Sequence, residues 1–112
     1  MEAEIKAVEV VEIIDYVDDI VEIEILIKEG RRVPRAKGYL IRVDKQKITV
    51  HKHEVTGKEI LTVAGKMPPE NYILRQIFRG GRSAAVGLDE VVDLHRHEVE
   101  KFKTLPRDQT EG

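Results

Sequence analysis

Apolar and polar residues alternate over several stretches in the second half of the chain, which is the pattern of half-buried strands. The strand-like stretches are, in order, residues 39–44, 48–55, 71–78, 85–88 and 99–105. The polar residues 44–47 predict a turn that makes the first two a hairpin. Residues 89–94 predict a loop that buries an apolar side chain. The pattern therefore favours a sheet protein.

Helical spacing replaces this alternation between the second and third strands. Thr56 and Glu59 have the Thr-x-x-Glu spacing of a capping box, so a helix is expected to begin there. Ile60 and Leu61 lie on one face of that helix, and Gly65 followed by a proline pair ends it.

The N-terminal part has a mixed pattern. Residues 21–25 alternate as in a strand, but a larger apolar set recurs at helical spacing. That set is Val10, Ile13, Ile14, Val17, Ile20 and Val21. We favour a helix over about residues 20–28, opened by a capping box at Asp19 and Glu22 and closed by Gly30. Its apolar side is expected to pack on its own globule or on a neighbour's.

The order strand, strand, helix, strand, short strand, strand is typical of the β-grasp, an α+β fold with one helix across a mixed sheet. In that fold the first and last strands are parallel neighbours at the centre. We predict three regions: an acidic amphipathic N-terminal arm at residues 1–37, a β-grasp domain at 38–105 and a flexible C-terminal tail at 106–112.

Charge is distributed unevenly over the 112 residues. Residues 1–27 carry a net charge of −8 and the remainder +6. The basic residues are scattered and aromatics are few, so we expect no nucleic-acid binding. No stretch is long and apolar enough for a membrane span, and no signal sequence is evident. A cytoplasmic protein is expected. With no cysteine, disulfides, thiolate metal sites and cysteine nucleophiles are excluded.

The histidines form two His-x-His pairs, His51 with His53 and His95 with His97. Two such pairs can bind zinc when they face each other. In a β-grasp sheet the second and last strands are separated by the first, so we expect the pairs to lie apart as surface histidines. No metal site and no cofactor is predicted.

Other polar motifs also have structural explanations. The Arg-Gly-Gly at residues 79–81 is interpreted as a turn, because cleavage there would remove the last strand. Asp89, Glu90 and Asp93 are interpreted as solvated or capping carboxylates, since no nucleophile or base accompanies them. The chain is therefore not expected to be an enzyme.

Residues 37–112 resemble the bacterial multiubiquitin family, prokaryotic ubiquitin-like modifiers. The motifs are VTGKEIL at residues 55–61, AGK at 64–66, PPENY at 68–72, RGG at 79–81, LDEVVDL at 88–94 and VEKF at 99–102. The resemblance implies a ubiquitin-like domain that is a substrate of other enzymes. Its partners would be an activating-like adenylating enzyme, a conjugating-like enzyme, a zinc metallopeptidase of the deubiquitinase type, and the target proteins.

The chemistry that the resemblance implies takes place at Gly112. Its carboxylate would be adenylated, passed on as a thioester and joined to a target amine or hydroxyl, in a pathway with a role in antiphage defence. A glycine at this position has no side chain to crowd the attacking nucleophile. The enzymes would recognise the preceding strip, which comprises Leu105, Pro106, Arg107, Asp108, Gln109, Thr110 and Glu111.

Two alternatives remain open. A β-grasp sulfur carrier would thiocarboxylate its C-terminal glycine. A noncovalent binding or oligomerising module would use the N-terminal arm for self-association. A sulfur carrier would differ from a conjugated modifier in its intact mass, because sulfur replaces oxygen at the tail. A binding module would keep its function after removal of the tail.

Overall fold

The computed structural model describes residues 16–107. Its elements, in chain order, are β1 (Tyr16–Glu22), α1 (Ile23–Lys28), β2 (Arg35–Val43), β3 (Gln46–Val50), β4 (Glu54–Thr56), α2 (Gly57–Val63), a short 3-10 helix (Pro69–Asn71), β5 (Tyr72–Phe78), β6 (Ser83–Val86), β7 (Val91–Asp93) and β8 (Val99–Pro106).

The main sheet has six strands and the topology of a β-grasp. Its strands are ordered β1-β2-β8-β5-β6, and β3 pairs antiparallel with β2 to form the predicted hairpin. β2 and β8 are parallel neighbours through Val43 and Phe102, and β8 pairs antiparallel with β5. The predicted central pair of parallel strands is therefore confirmed, as is the α+β β-grasp fold.

The N-terminal segment adds a strand to this sheet. β1 runs parallel to β2 from the pair Tyr16 and Arg35 to the pair Glu22 and Leu40, with a bulge in β1. The helix predicted over about residues 20–28 is present only as α1, so its predicted start near residue 20 and the capping box at Asp19 and Glu22 are wrong. Hydrogen bonding to β2 holds residues up to Glu22 extended, which helical spacing in the sequence does not reveal.

β1 and β8 share one edge of β2. Leu40 has a partner in β1 and another in β3, whereas Val43 has partners in β8 and β3. β1 therefore lies along the first half of that edge and β8 along the second, and α1 begins where β1 leaves the sheet.

A single core cluster contains residues from both the N-terminal segment and the β-grasp strands. The buried apolar residues of this cluster include Ile23, Ile27, Val33, Tyr39, Ile41, Val43, Ile60, Leu61, Leu74 and Phe102. The apolar side of α1 thus packs on its own globule, which is one of the two outcomes expected for it.

A second, two-stranded sheet was not predicted as such. The chain bends at residues 51–53, so the stretch 48–55 is not one strand: β3 ends at Val50 and β4 begins at Glu54. β4 pairs antiparallel with β7, where a loop was predicted. That prediction is wrong for Val91–Asp93, although residues 89–94 do bury apolar side chains as expected, namely Val92 and Leu94.

α2 begins at the predicted capping box. Thr56 Oγ1 accepts a hydrogen bond from Glu59 N (3.1 Å), and a Glu59 carboxylate oxygen accepts one from Thr56 N (2.8 Å). The predicted turn at residues 79–81 is confirmed, since Gly80 and Gly81 have φ of +92° and +99°, which favours glycine.

Candidate functional site

The end of β8 is the root of the predicted tail, and it is firmly attached to β5. Leu105 pairs with Ile73, and Pro106 with Tyr72, so the sheet extends one residue beyond the predicted strand. Pro106 can occupy the last position because no further ladder bond is needed from its nitrogen.

Arg107 anchors the chain immediately after β8. Its backbone N–H donates to Asn71 O (2.7 Å). Its guanidinium donates twice, from Nε to Glu70 O (3.1 Å) and from Nη2 to Tyr72 O (3.2 Å). Three hydrogen bonds to consecutive backbone carbonyls therefore hold the chain at the root of the tail. Arg107 was predicted only as part of a recognition strip, so this anchoring role is new.

Asp44, in the β2–β3 turn, holds β8 from the other side. One carboxylate oxygen accepts from Thr104 N (2.9 Å), and the other accepts from the Thr104 hydroxyl. The Asp44 N–H donates to Phe102 O (3.0 Å). No signal in the sequence links Asp44 to a residue 60 positions away. Together with Arg107, it fixes where β8 ends.

Of the predicted tail strip, the structure describes Leu105, Pro106 and Arg107. Asp108, Gln109, Thr110, Glu111 and the predicted conjugation residue Gly112 lie outside the described residues. Five residues follow Arg107 in the sequence. Covalent geometry limits their span to roughly 17 Å, which is the greatest distance from Arg107 that Gly112 can reach.

Next to the tail root, the strand register defines one face of the sheet. Leu74, Gln76 and Phe102 point into the core, so the alternate residues of β5 and β8 lie on the opposite face. We call four of these residues, Ile73, Arg75, Lys103 and Leu105, the tail face. Ile73 is opposite Leu105, and Arg75 is opposite Lys103.

The tail face combines apolar contact area with positive charge. Leu105 is 42% exposed although it is a large apolar residue. The basic pair Arg75 and Lys103 lies next to it along the strands. This arrangement suits a partner surface with an apolar depression bordered by carboxylates. The sequence alone did not reveal which strand residues share this face, since register decides it.

The two histidine pairs are closer than predicted. The rings of His53 and His95 have centroids 6.1 Å apart in an edge-to-face arrangement. The expectation that the pairs lie apart is therefore wrong for these two residues. The reason is the second sheet: β4 pairs with β7, which brings His53 beside the residues that follow β7.

Asp93 contacts both of these histidines. His53 Nδ1 is 3.2 Å from Asp93 Oδ1, and His95 N donates to the same oxygen (2.9 Å). Burial alone would raise the pKa of Asp93. The hydrogen bonds from His95 and His53, together with the charges of His53 and His97, outweigh burial and lower the pKa. Asp93 is thus held as a carboxylate.

The neighbouring acidic residues have different roles. A Glu90 carboxylate oxygen accepts from Gly87 N (3.0 Å), which is the capping role expected for this loop. Asp89 is exposed. In residues 16–107, no helix has both the length and the apolar character needed to cross a membrane.

Comparison with family models gives one match. The multiubiquitin family model matches residues 39–107, which is more than half of the chain. The match starts within β2 and ends at Arg107, so it includes the anchored tail root. A search of curated proteins and a search of solved structures each returned no significant match.

Proposed function

Because the chain belongs to the multiubiquitin family and is a ubiquitin-like protein, we propose that it is a protein modifier joined to its targets through Gly112. The Gly112 carboxylate attacks the α-phosphate of ATP and releases pyrophosphate, which gives an acyl adenylate. A cysteine thiolate of the activating enzyme then displaces AMP and forms a thioester. Since the chain itself has no cysteine, it takes part only as the acyl group.

The later steps transfer the same acyl group. A cysteine of a conjugating enzyme takes it over by thioester exchange, and a target amine or hydroxyl displaces that thiol to give an amide or an ester. A zinc metallopeptidase of the deubiquitinase type hydrolyses the amide and releases the modifier from its target. We place this pathway in the cytoplasm, where ATP is available, and assign it a role in antiphage defence.

The observation that carries the proposal is the anchoring of Arg107. Its three hydrogen bonds to residues 70–72 hold Arg107 on the sheet, and the five residues that lead to Gly112 follow directly after it in the sequence. An enzyme that docks on the sheet thereby finds the start of the tail at a defined position. A reach of up to roughly 17 Å allows the carboxylate to enter an active site away from the docked surface.

We assign docking of the activating enzyme to the tail face. Its exposed Leu105 and the basic pair beside it lie where the tail leaves the sheet. Leu105→Asp is expected to lower the rate of adenylate-dependent thioester formation at least about tenfold, because it places a charge in an apolar contact. Val91→Asp is the matched control, since Val91 is also an exposed apolar residue but lies on the second sheet. Equal losses in both variants would contradict this assignment.

Digest mass spectrometry tests the proposed conjugation. An N-terminally tagged chain is recovered from its native host and digested with trypsin. Arg107 is the last tryptic site, so conjugation leaves Asp-Gln-Thr-Glu-Gly on the acceptor residue. Finding this remnant on other proteins supports a covalent modifier and identifies both acceptor and target.

The control is the same chain without Gly112, which is expected to fold normally and to leave no remnant. Conjugates formed by that variant would contradict the role of Gly112. Free tail alone, in cells that contain the activating enzyme, would favour the noncovalent module. An intact mass raised by about 16 Da, from replacement of oxygen by sulfur, would favour the sulfur carrier.

A further inference from the structure

The second sheet brings together side chains with metal-binding atoms from two separate parts of the chain. His53 directly precedes β4, Glu54 begins it, and Asp93 ends β7. One ligand atom from each of these three residues lies within 4.8 Å of the other two. His53 precedes the strand in a bend, so it need not point away from Glu54 as successive strand residues do.

Two of these atoms already have the spacing of ligands on one ion. Zinc lies about 2.1 Å from imidazole nitrogen and carboxylate oxygen, which places two tetrahedral ligands roughly 3.4 Å apart. His53 Nδ1 and Asp93 Oδ1 are 3.2 Å apart. Glu54 is exposed, so rotation of its side chain can bring its carboxylate within bonding distance.

His95 adds a nitrogen donor beside this group. Its Nδ1 lies 2.7 Å from the carbonyl oxygen of Val33, and a carbonyl only accepts, so Nδ1 carries the hydrogen. The lone pair is consequently on Nε2. A histidine whose other ring nitrogen is held by a carbonyl is the usual arrangement for metal ligands. Its ring lies edge-to-face with that of His53.

We propose that His53, Glu54 and Asp93 bind one divalent transition-metal ion of the zinc type, with His95 or a water completing four ligands. The mixed nitrogen and oxygen set favours zinc or a similar ion over calcium and magnesium, which take oxygen ligands. In the structure His53 Nδ1–H donates to Asp93 Oδ1, so the ion would displace this hydrogen and take the Nδ1 lone pair. Asp93 is a carboxylate that needs no deprotonation.

The ion would cross-link parts of the fold that are distant in sequence. β4 and β7 contribute the ligands, and Val33, which precedes β2, orients His95. The ion should therefore bind the folded chain more tightly than the unfolded one, and it raises stability by mass action. This site is independent of the conjugation proposed for Gly112.

The test uses the full chain with every affinity tag removed and Zn²⁺ alone as the probe. Isothermal titration is expected to saturate at one ion per chain. His53→Gln and Asp93→Asn are expected to weaken binding at least about tenfold, as loss of a ligand or its support does. Zn²⁺ should also raise the unfolding midpoint of the wild type and, at the same concentration, raise that of His53→Gln less.

His51→Gln is the matched control, because His51 is an exposed histidine two positions from His53. It is expected to bind Zn²⁺ as the wild type does. Circular dichroism of each variant without metal shows whether it is folded, and Co²⁺, which reports its ligand field in visible absorption, gives a second measure of the site. Equal binding by folded His53→Gln, an equal loss in His51→Gln, or binding that never saturates would each overturn the proposal.

Discussion

The two α-helices of the described chain differ in what determines where they begin. α2 starts at the Thr56–Glu59 capping box, in which both hydrogen bonds join residues three apart. α1 is preceded by Glu22, whose side chain makes no capping hydrogen bond. It begins where pairing with β2 stops. The start of one helix is thus a local property of the sequence, and the start of the other depends on the sheet.

The same contrast holds for their acidic residues. Glu24 of α1 is only 6% exposed, and it accepts from Arg42 Nε (2.6 Å) and pairs with Lys28 (3.2 Å). Burial would raise its pKa, but the hydrogen bonds and charges of Arg42 and Lys28 outweigh burial and lower it. A buried carboxylate is tolerated only with such partners. α1 therefore depends on a residue of β2.

In α2 the pairing is exposed. Glu59 pairs with Lys52 (2.7 Å) and also caps Thr56. The hydrogen bond from Lys52 is the main reason that the pKa of Glu59 is lowered, followed by the one from Thr56 N. Exposed ion pairs contribute little to stability. The cap and the core contacts of α2 should therefore matter more than this salt bridge.

The largest expected effect tests whether α1 belongs to the same core as α2. Ile27 and Ile60 are 3% and 0% exposed, so Ile27→Ala and Ile60→Ala should each lower the unfolding free energy by about 2–5 kcal/mol. Urea unfolding measures both. Ile25→Ala, on the exposed side of α1, should change it by less than about 0.5 kcal/mol. A loss under about 1 kcal/mol in Ile27→Ala would show that α1 is dispensable.

The second prediction concerns the two ion pairs. Arg42→Ala leaves Glu24 buried without its nearest cation and should cost about 2 kcal/mol, somewhat less than a fully buried pair because Arg42 is partly exposed. Lys52→Ala is the comparison in α2 and should cost less than about 0.5 kcal/mol. Chemical denaturation measures both. Restoring most of the lost stability with Arg42→Ala/Glu24→Gln would show that the unpaired carboxylate causes the loss.

The third prediction tests the local signal of α2. Thr56→Ala removes the capping oxygen and should lower stability by about 1 kcal/mol. Thr62→Ala is the matched control within the same helix. The Thr62 hydroxyl donates to Lys58 O (2.7 Å) and caps no helix end, so its loss should be nearly neutral. A similar loss of stability in both variants would show that the capping box adds nothing specific.

The smallest effect is a pH dependence. The folded pKa of Glu24 lies below its ordinary value of 4.5. Its contribution to stability is therefore complete above that value and is lost as pH falls through the lowered, folded pKa. Glu24→Gln has no carboxylate and so lacks this contribution. The difference in unfolding free energy between wild type and variant should therefore shrink as the pH falls below about 5. Unfolding curves over this range measure it, and a constant difference would contradict the assignment.

Much of the fold could be predicted because its signals are local. Alternation at residues 39–44 and 99–105 places strands there, and the Thr56–Glu59 spacing places α2. β7 and the break at residues 51–53 were missed because three-residue strands carry too little periodicity to recognise. Residues 20–22 of β1 were predicted as the start of a helix because Val17, Ile20 and Val21 fit a helical face, and only hydrogen bonding to β2 keeps them extended.

The candidate sites also contain some features that the sequence predicts locally and others that depend on sheet pairing. The tail strip and its glycine could be named from the sequence, since position and residue type are local facts. The contacts of Arg107 with residues 70–72 and of Asp44 with Thr104 could not, because sheet register decides which carbonyls and hydroxyls lie nearby. For the same reason, His53 and His95 were expected apart and lie together.

By itself, the sequence determined the main β-grasp strands along the chain, the position of α2, the uneven charge distribution and the multiubiquitin resemblance, all of which depend on residue type and short spacings. Only the tertiary structure decided that β1 and β8 share an edge of β2, that α1 enters the core, and that Arg107 is anchored beside the tail face. Each of these depends on which backbone groups pair across the sheet. Such pairing satisfies hydrogen bonds between residues distant in sequence, and no local pattern specifies it.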